Sequence, residues 1–190
     1  MYAPVRVNAP ASPPLTLAEV KAHCRVDGTD EDVLLEALLA SAVDHLDGYG
    51  GILGRAIVAQ TWRPDFDGFE SVLRLPLPAS SIEKISWRNR DDVSVDLDPA
   101  SYVLRTDSLG SYARMADSFS SPAGLASSAA VSVAYIAGTA PADVPPAIKA
   151  AILLLVGHWY VNREAASSGS LSAVPLAFDA LIAAHCRFGV

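Results

Sequence analysis

The chain has 190 residues, room for one domain with a substantial core and at most a small appendage. Lys and Arg number 14 against 21 Asp and Glu, a formal net charge of −7 with a pI near 4.9. That balance excludes the basic footprint with which proteins grip nucleic-acid phosphates, while leaving open passive contact with DNA that slides past. Hydrophobic residues reach 51%, charged ones only 18%, and mean hydropathy is +0.29, so apolar surface left after folding has to be covered, most simply by other subunits.

Residues 1–15 read as an extended arm, because four prolines within the first 14 positions forbid a helix. The same stretch has no apolar core of a signal peptide. "TLAE" then makes a capping box from Thr16 and Glu19, opening a short helix over Leu17 to Arg25. "VDGTDED" breaks it, and Thr29 with Asp32 predicts a second box at the head of the next helix. Val33, Leu34, Ala37, Leu38, Ser41, Ala42 and His45 recur with helical spacing, giving a core-facing stripe that runs to about Leu46, with Gly48 as the C-terminal cap.

From about residue 56 to 137 the chain changes to short runs rich in Val, Ile, Tyr and Trp, broken by Pro, Gly, Asn and Asp, which predicts antiparallel β structure. Pro76 and Pro78 place one of these strands at a sheet edge. Pro145 and Pro146 fit the first turn of a long helix over 146–164. "AASSGSLSA" (165–173) is a small-residue linker, and a last helix spans Pro175 to Phe188. The expected fold class is α+β: mainly an α-helical bundle, from helices over 16–47, 146–164 and the tail, with an inserted antiparallel β section. The expected domains are the arm 1–15, a central domain 16–164, and a linker with C-terminal helix over 165–190.

The stretch "GHWYVNREA" (157–165) crowds His158, Tyr160, Asn162, Arg163 and Glu164 together, the raw material of acid–base catalysis. At about 100° per residue, however, His158 and Asn162 share one side of the helix while Tyr160 and Glu164 share another, and catalytic groups must converge. Ile148, Ile152, Leu155, Val156 and Trp159 form one core stripe. Leu153 and Leu154 lie outside it, which suits a helix central in its bundle or packed against another subunit. "DGTDED" (27–32) lacks the alternating ligands and glycine position of a calcium loop. The pairs His23–Cys24 and His185–Cys186 lack the ligand spacing of a zinc site. Free thiols in a reducing compartment follow from two cysteines without a CxxC. No catalytic or metal-binding residue, no cofactor and no membrane span is expected; the longest apolar run, 150–161, is 12 residues against the ~20 a spanning helix needs. Phosphate-loop, dinucleotide, nucleophile-elbow and HExxH patterns are absent.

Two blocks in order resemble the head–tail connector (adaptor) proteins of tailed bacteriophages and gene-transfer agents. The first is "LTLAEVKAHCRVDGTDEDVLLEALLASAVDHLDGYGGILGRAIVAQTW"; the second is "VAYIAGTAPADVPPAIKAAILLLVGHWYVNREA". The resemblance covers about residues 15–188, with β structure between the two blocks and with His23–Cys24 and the Pro-rich arm as departures. The resemblance implies a structural role and no enzyme. Copies form a ring, typically a dodecamer, under the portal at the head–tail junction of the virion, extend the DNA channel without binding DNA specifically, and dock the next neck or tail component. On that reading Leu176, Phe178, Leu181, Ile182 and Phe188 of the last helix dock the portal, and Leu153, Leu154, Tyr160, Arg163 and Glu164 meet the neighbouring subunit. The competing readings are a small acidic α+β enzyme with a site near His158, and a monomeric protein-binding adaptor.

Overall fold

The structure, a computed structural model, describes residues 1–162 and 176–187. The chain divides into two compact units. One joins Met1–Ala11 to Ala59–Thr139; the other joins Ser12–Val58 to the described residues from Ala140 onward.

The first unit is all β among its described residues apart from a short 3-10 turn at Pro99–Ser101. Its strands are β1 (Val5–Asn8), β2 (Gln60–Arg63), β3 (Asp65–Phe66), β4 (Val72–Arg74), β5 (Ala79–Arg88), β6 (Ser94–Asp96), β7 (Tyr102–Asp107), β8 (Gly110–Met115) and β9 (Val131–Ala137). The larger sheet runs β1-β2-β9-β5-β6, with β3 also pairing β9; the smaller runs β4-β8-β7, and every pairing is antiparallel. Strand β9 is the centre, because its sequence alternates: Val131, Val133, Tyr135 and Ala137 are buried and the residues between them half-buried. Tyr135 stands opposite Trp62 of β2 and Ile82 of β5. Its hydroxyl accepts a hydrogen bond from the Leu77 amide (3.2 Å), and the Ala79 amide donates to Ser111 Oγ of β8 (3.0 Å), so the two sheets are tied by satisfied buried polar groups. Strand β4 is indeed an edge, and Pro76 and Pro78 follow it where ladder donors are no longer needed.

This arrangement corrects the expectation of a mainly helical bundle. The β section is a two-sheet unit with its own core, and the arm contributes its edge strand β1, Val5 facing Arg63 and Arg6 facing Trp62. The strands are short, which made the section look like an insert, yet strict alternation in β9 buries side chains between two sheets, and that suffices for a separate core.

One ion pair organises the smaller sheet. Arg74 of β4 donates through both Nη atoms to Asp107 at the end of β7 (2.8 and 2.6 Å) and stacks on Tyr112 of β8, 5.1 Å from the ring centre. The guanidinium, helped by the amides of Leu109 and Gly110, holds the Asp107 carboxyl down from 3.8 to about 2. A depressed carboxyl stabilises the fold above its unfolded pKa and loses that contribution as pH falls through the folded value. Between pH 3.8 and about 2, Asp107→Asn is therefore expected to flatten the fall of Tm with acid relative to the parent, measured by circular dichroism; parallel curves would contradict the pairing.

The second unit holds α1 (Leu17–Cys24), α2 (Asp32–Leu46), α3 (Pro146–Val161) and α4 (Leu176–Ala183). The first capping box is present: Thr16 Oγ accepts from the Glu19 amide (3.2 Å) and the Glu19 carboxylate accepts from the Thr16 amide (2.7 Å). The second box does not form. Glu31 is the N-cap of α2 without a side-chain cap, the Asp32 amide bonds the Thr29 carbonyl, and the Asp32 carboxylate is taken by Lys21 Nζ at 2.6 Å. The buried side of α2 is Leu35, Leu39, Ala42 and Leu46, so Val33, Ala37, Ser41 and His45, expected in the core stripe, are exposed. On α3 the stripe is as expected: Ile148, Ile152, Leu155 and Val156 are buried and Trp159 packs against them.

The turn after α2 explains "DGYGG". The buried Asp47 carboxylate accepts from the Ile57 amide (2.6 Å), and Gly48 turns with φ +80°. A Cβ on Gly51 would overlap the backbone carbonyls of Leu46 and Asp47, so only glycine fits there.

Candidate functional site

The polar residues at the end of α3 diverge. The Asn162 side-chain amide donates to the His158 carbonyl (2.8 Å) and lies 3.4 Å from His158 Nδ1, finishing the helix. Asn162 is the only hydrogen-bond contact to the His158 ring among the described residues. Tyr160 points elsewhere: its hydroxyl donates to the Glu31 carboxylate at the head of α2, bringing the end of α3 to the start of α2. Trp159 meets His45 edge-on, ring centres 6.2 Å apart. Gly157 sits where α3 passes His23 of α1, and a Cβ there would press on the His23 ring, 3.1 Å from Nε2.

Of the residues expected at a subunit contact, Leu153, Leu154 and Tyr160 are half-buried, Leu153 and Tyr160 against the core of their own unit. Arg163 and Glu164 lie outside the described residues. Of those expected to dock the portal, Phe178 and Ile182 are buried in the helical core, at 4% and 5% exposure, and Leu181 packs partly on it. The side chain of Leu176 and all of Phe188 lie outside the described residues. The open side of α4 is Ala177, Asp179, Ala180 and Ala183. The linker 165–173 also lies outside the described residues.

Sequence reasoning missed four exposed large apolar residues of the helical unit among the described residues: Val33 in the first turn of α2, Tyr49 and Ile52 in the glycine turn, and Val161 at the end of α3. Val33 was masked by its helical spacing with true core positions, while Tyr49 and Ile52, flanked by glycines in a turn, could have been noticed.

Among the described residues no three His, Cys, Asp or Glu side chains converge to hold a metal, and Cys24 and Cys186 are free and half-buried, burial pushing the Cys24 thiol up. No helix of the described residues is long and apolar enough to cross a membrane. A hollow of about 540 Å³ in the β unit is walled by Phe69, Val72, Met115 and Phe119, with Arg114 at its rim paired to Asp117 at 3.2 Å.

Residues 14–69 match the sequence profile of the phage gp6-like head-tail connector proteins. No curated protein matches the chain. Three solved structures share the fold over 100% of this chain and 97% of theirs. They are the neck of an empty gene-transfer-agent particle computed with C6 symmetry (20% identity, TM-score 0.79), the virion of a native gene-transfer-agent particle (19%, 0.75), and the neck of a native particle computed with C12 symmetry (17%, 0.73). Residues 14–69 thus carry the connector pattern that the sequence resembles, and the chain as a whole shares its fold with these particle proteins.

Proposed function

We propose that this chain is a structural head–tail connector subunit. Copies form a ring in the neck of a tailed phage or phage-like particle, extend the DNA channel, and give the next neck or tail component a surface to dock on. The observation that carries this reading is the correspondence of the entire chain, both units included, with chains from gene-transfer-agent particles, two of them solved as necks. Those necks were computed with C6 and C12 symmetry, and a dodecamer of this chain suits both. An acidic subunit repeated around a channel repels phosphates, so DNA passes without sticking. The role is non-enzymatic, consistent with polar groups on α3 that cap a helix and bridge to α2.

The portal is the proposed partner on the capsid side, through the C-terminal helix. Phe178 and Ile182 serve that contact by fixing α4 to its unit, while Ala177, Asp179, Ala180 and Ala183 present the outer side. Removing the gene from a particle-producing strain is expected to leave DNA-filled heads without tails, seen by negative-stain microscopy. Complementation with the parent chain restores tails, and with Ala180→Arg, folded by circular dichroism, does not. Tailed particles at the parent level in the deletion strain would overturn the connector reading; full rescue by Ala180→Arg would overturn only the α4 docking.

A further inference from the structure

We infer that the two ends of α2 are the two halves of one contact between neighbouring copies, an inference that rests on the ring reading above. The helical unit exposes four large apolar side chains among its described residues: Val33 (81%), Tyr49 (51%), Ile52 (44%) and Val161 (78%). They fall into two pairs. Val33 lies in the first turn of α2 and Val161 ends α3, and the Tyr160–Glu31 hydrogen bond holds these two helix ends together. Tyr49 and Ile52 belong to the turn after α2, which is tied back to the last turn of the helix by the Ile52 amide donating to the His45 carbonyl (3.1 Å).

The 15 residues of α2 separate the pairs by about 22 Å at 1.5 Å per residue. Covering both takes two partners or one partner that repeats. A second copy repeats by construction: its Tyr49–Ile52 turn seats on the Val33–Val161 end of the first, and its own Val33–Val161 end receives the third. Along α2 the exposed Ala37, Ala40 and Ser41 continue the side of Val33 with small residues as far as Asp44, so a neighbour can approach the middle of the helix closely.

Charge supports the same pairing. At the Val33 end Asp27 and Asp30 are exposed and have no ion-pair partner among the described residues, and Glu31, Asp32 and Glu36 add to the acidic field that Lys21 and Arg25 only partly offset. At the other end Asp44 is the exposed acid in the last turn of α2, and Arg55 follows Ile52 in the turn, half-buried and likewise without an ion-pair partner among the described residues, with the Arg187 amide bonding the Leu53 carbonyl beside it. Opposite charge across a head-to-tail contact fixes its register and suppresses the head-to-head alternative, in which acid would face acid.

The test is a charge exchange in the complemented deletion strain, reading the amount of this chain at the necks of purified particles by microscopy and immunoblot. Asp30→Arg and Arg55→Asp alone are each expected to lower ring-bearing particles about tenfold, and the double exchange in one chain to recover most of the loss. Ile52→Asp, also on the surface, should lose the ring without recovery in any charge background. Circular dichroism establishes that each variant is folded. Unchanged rings in both single exchanges, or loss in both without recovery in the double, would overturn the assignment of these faces. A parent strain without a ring at the neck would instead overturn the ring reading and this inference with it.

Discussion

Tyr135→Ala is expected to be the most damaging single truncation in the β unit, costing about 3–5 kcal/mol, as large-to-small changes of buried aromatics do. Tyr135 is fully buried at the middle of the central strand, between Trp62 and Ile82, and its hydroxyl accepts from the Leu77 amide. Alanine there removes the ring, leaves a cavity between the sheets and strands the Leu77 amide. Tyr135→Phe separates these effects. It keeps the ring and loses only the hydroxyl, so it should cost about 1–3 kcal/mol, the penalty for an unsatisfied buried donor. Thermal melts read both, at about 4–8 °C per kcal/mol for a unit of this size. Equal losses in the two variants would mean that the hydroxyl, and not the packing of β9, holds the sheets.

Leu155→Ala is the corresponding expectation for the helical unit, at about 2–5 kcal/mol. Leu155 is 1% exposed on α3, within the cluster that also holds Leu35, Leu39 and Leu46 of α2 and Phe178 and Ile182 of α4. Because α4 is held by that cluster, the truncation should also loosen the C-terminal helix and raise its susceptibility to protease before the unit as a whole unfolds. Leu154→Ala, half-buried and outside the cluster, serves as the control and should cost far less. A melt in which Leu154→Ala is the worse of the two would show that the core side of α3 has been assigned wrongly.

Local signals were the legible ones. The Thr16–Glu19 box is a contact over three residues, and it forms as read. On α3 the stripe of Ile148, Ile152, Leu155 and Val156 is the buried one, although Leu153 and Leu154 put apolar residues on other sides as well. On α2 apolar residues likewise lie on more than one side, and there spacing alone chooses Val33 and Ala37 where packing chooses Leu35 and Leu39. The arm reads as extended, but its four alternating residues Val5 to Asn8 are too short a run to predict a strand and all of them stay exposed, and the pairing with residues 61–63 is a long-range event. The same limit applies to the surface proposed for assembly. Tyr160 and Glu31 are 129 positions apart, and only the fold brings Val161 and Val33 to one end of the helical unit. Thr29 failed as a cap because Lys21, reaching from the preceding helix, claims the Asp32 carboxylate that the box required.

Two units with separate cores match the solved particle chains over their whole length, and the proposed ring would cover the exposed apolar side chains of the helical unit. The most direct measurement is a density map of intact particles made by the host strain, calculated without imposed symmetry at the neck. The expected result is a closed annulus of this chain between portal and tail, each copy placing its Tyr49–Ile52 turn against the Val33 end of the next. A neck whose density holds no copy of this chain, in particles that are tailed and filled with DNA, would contradict it.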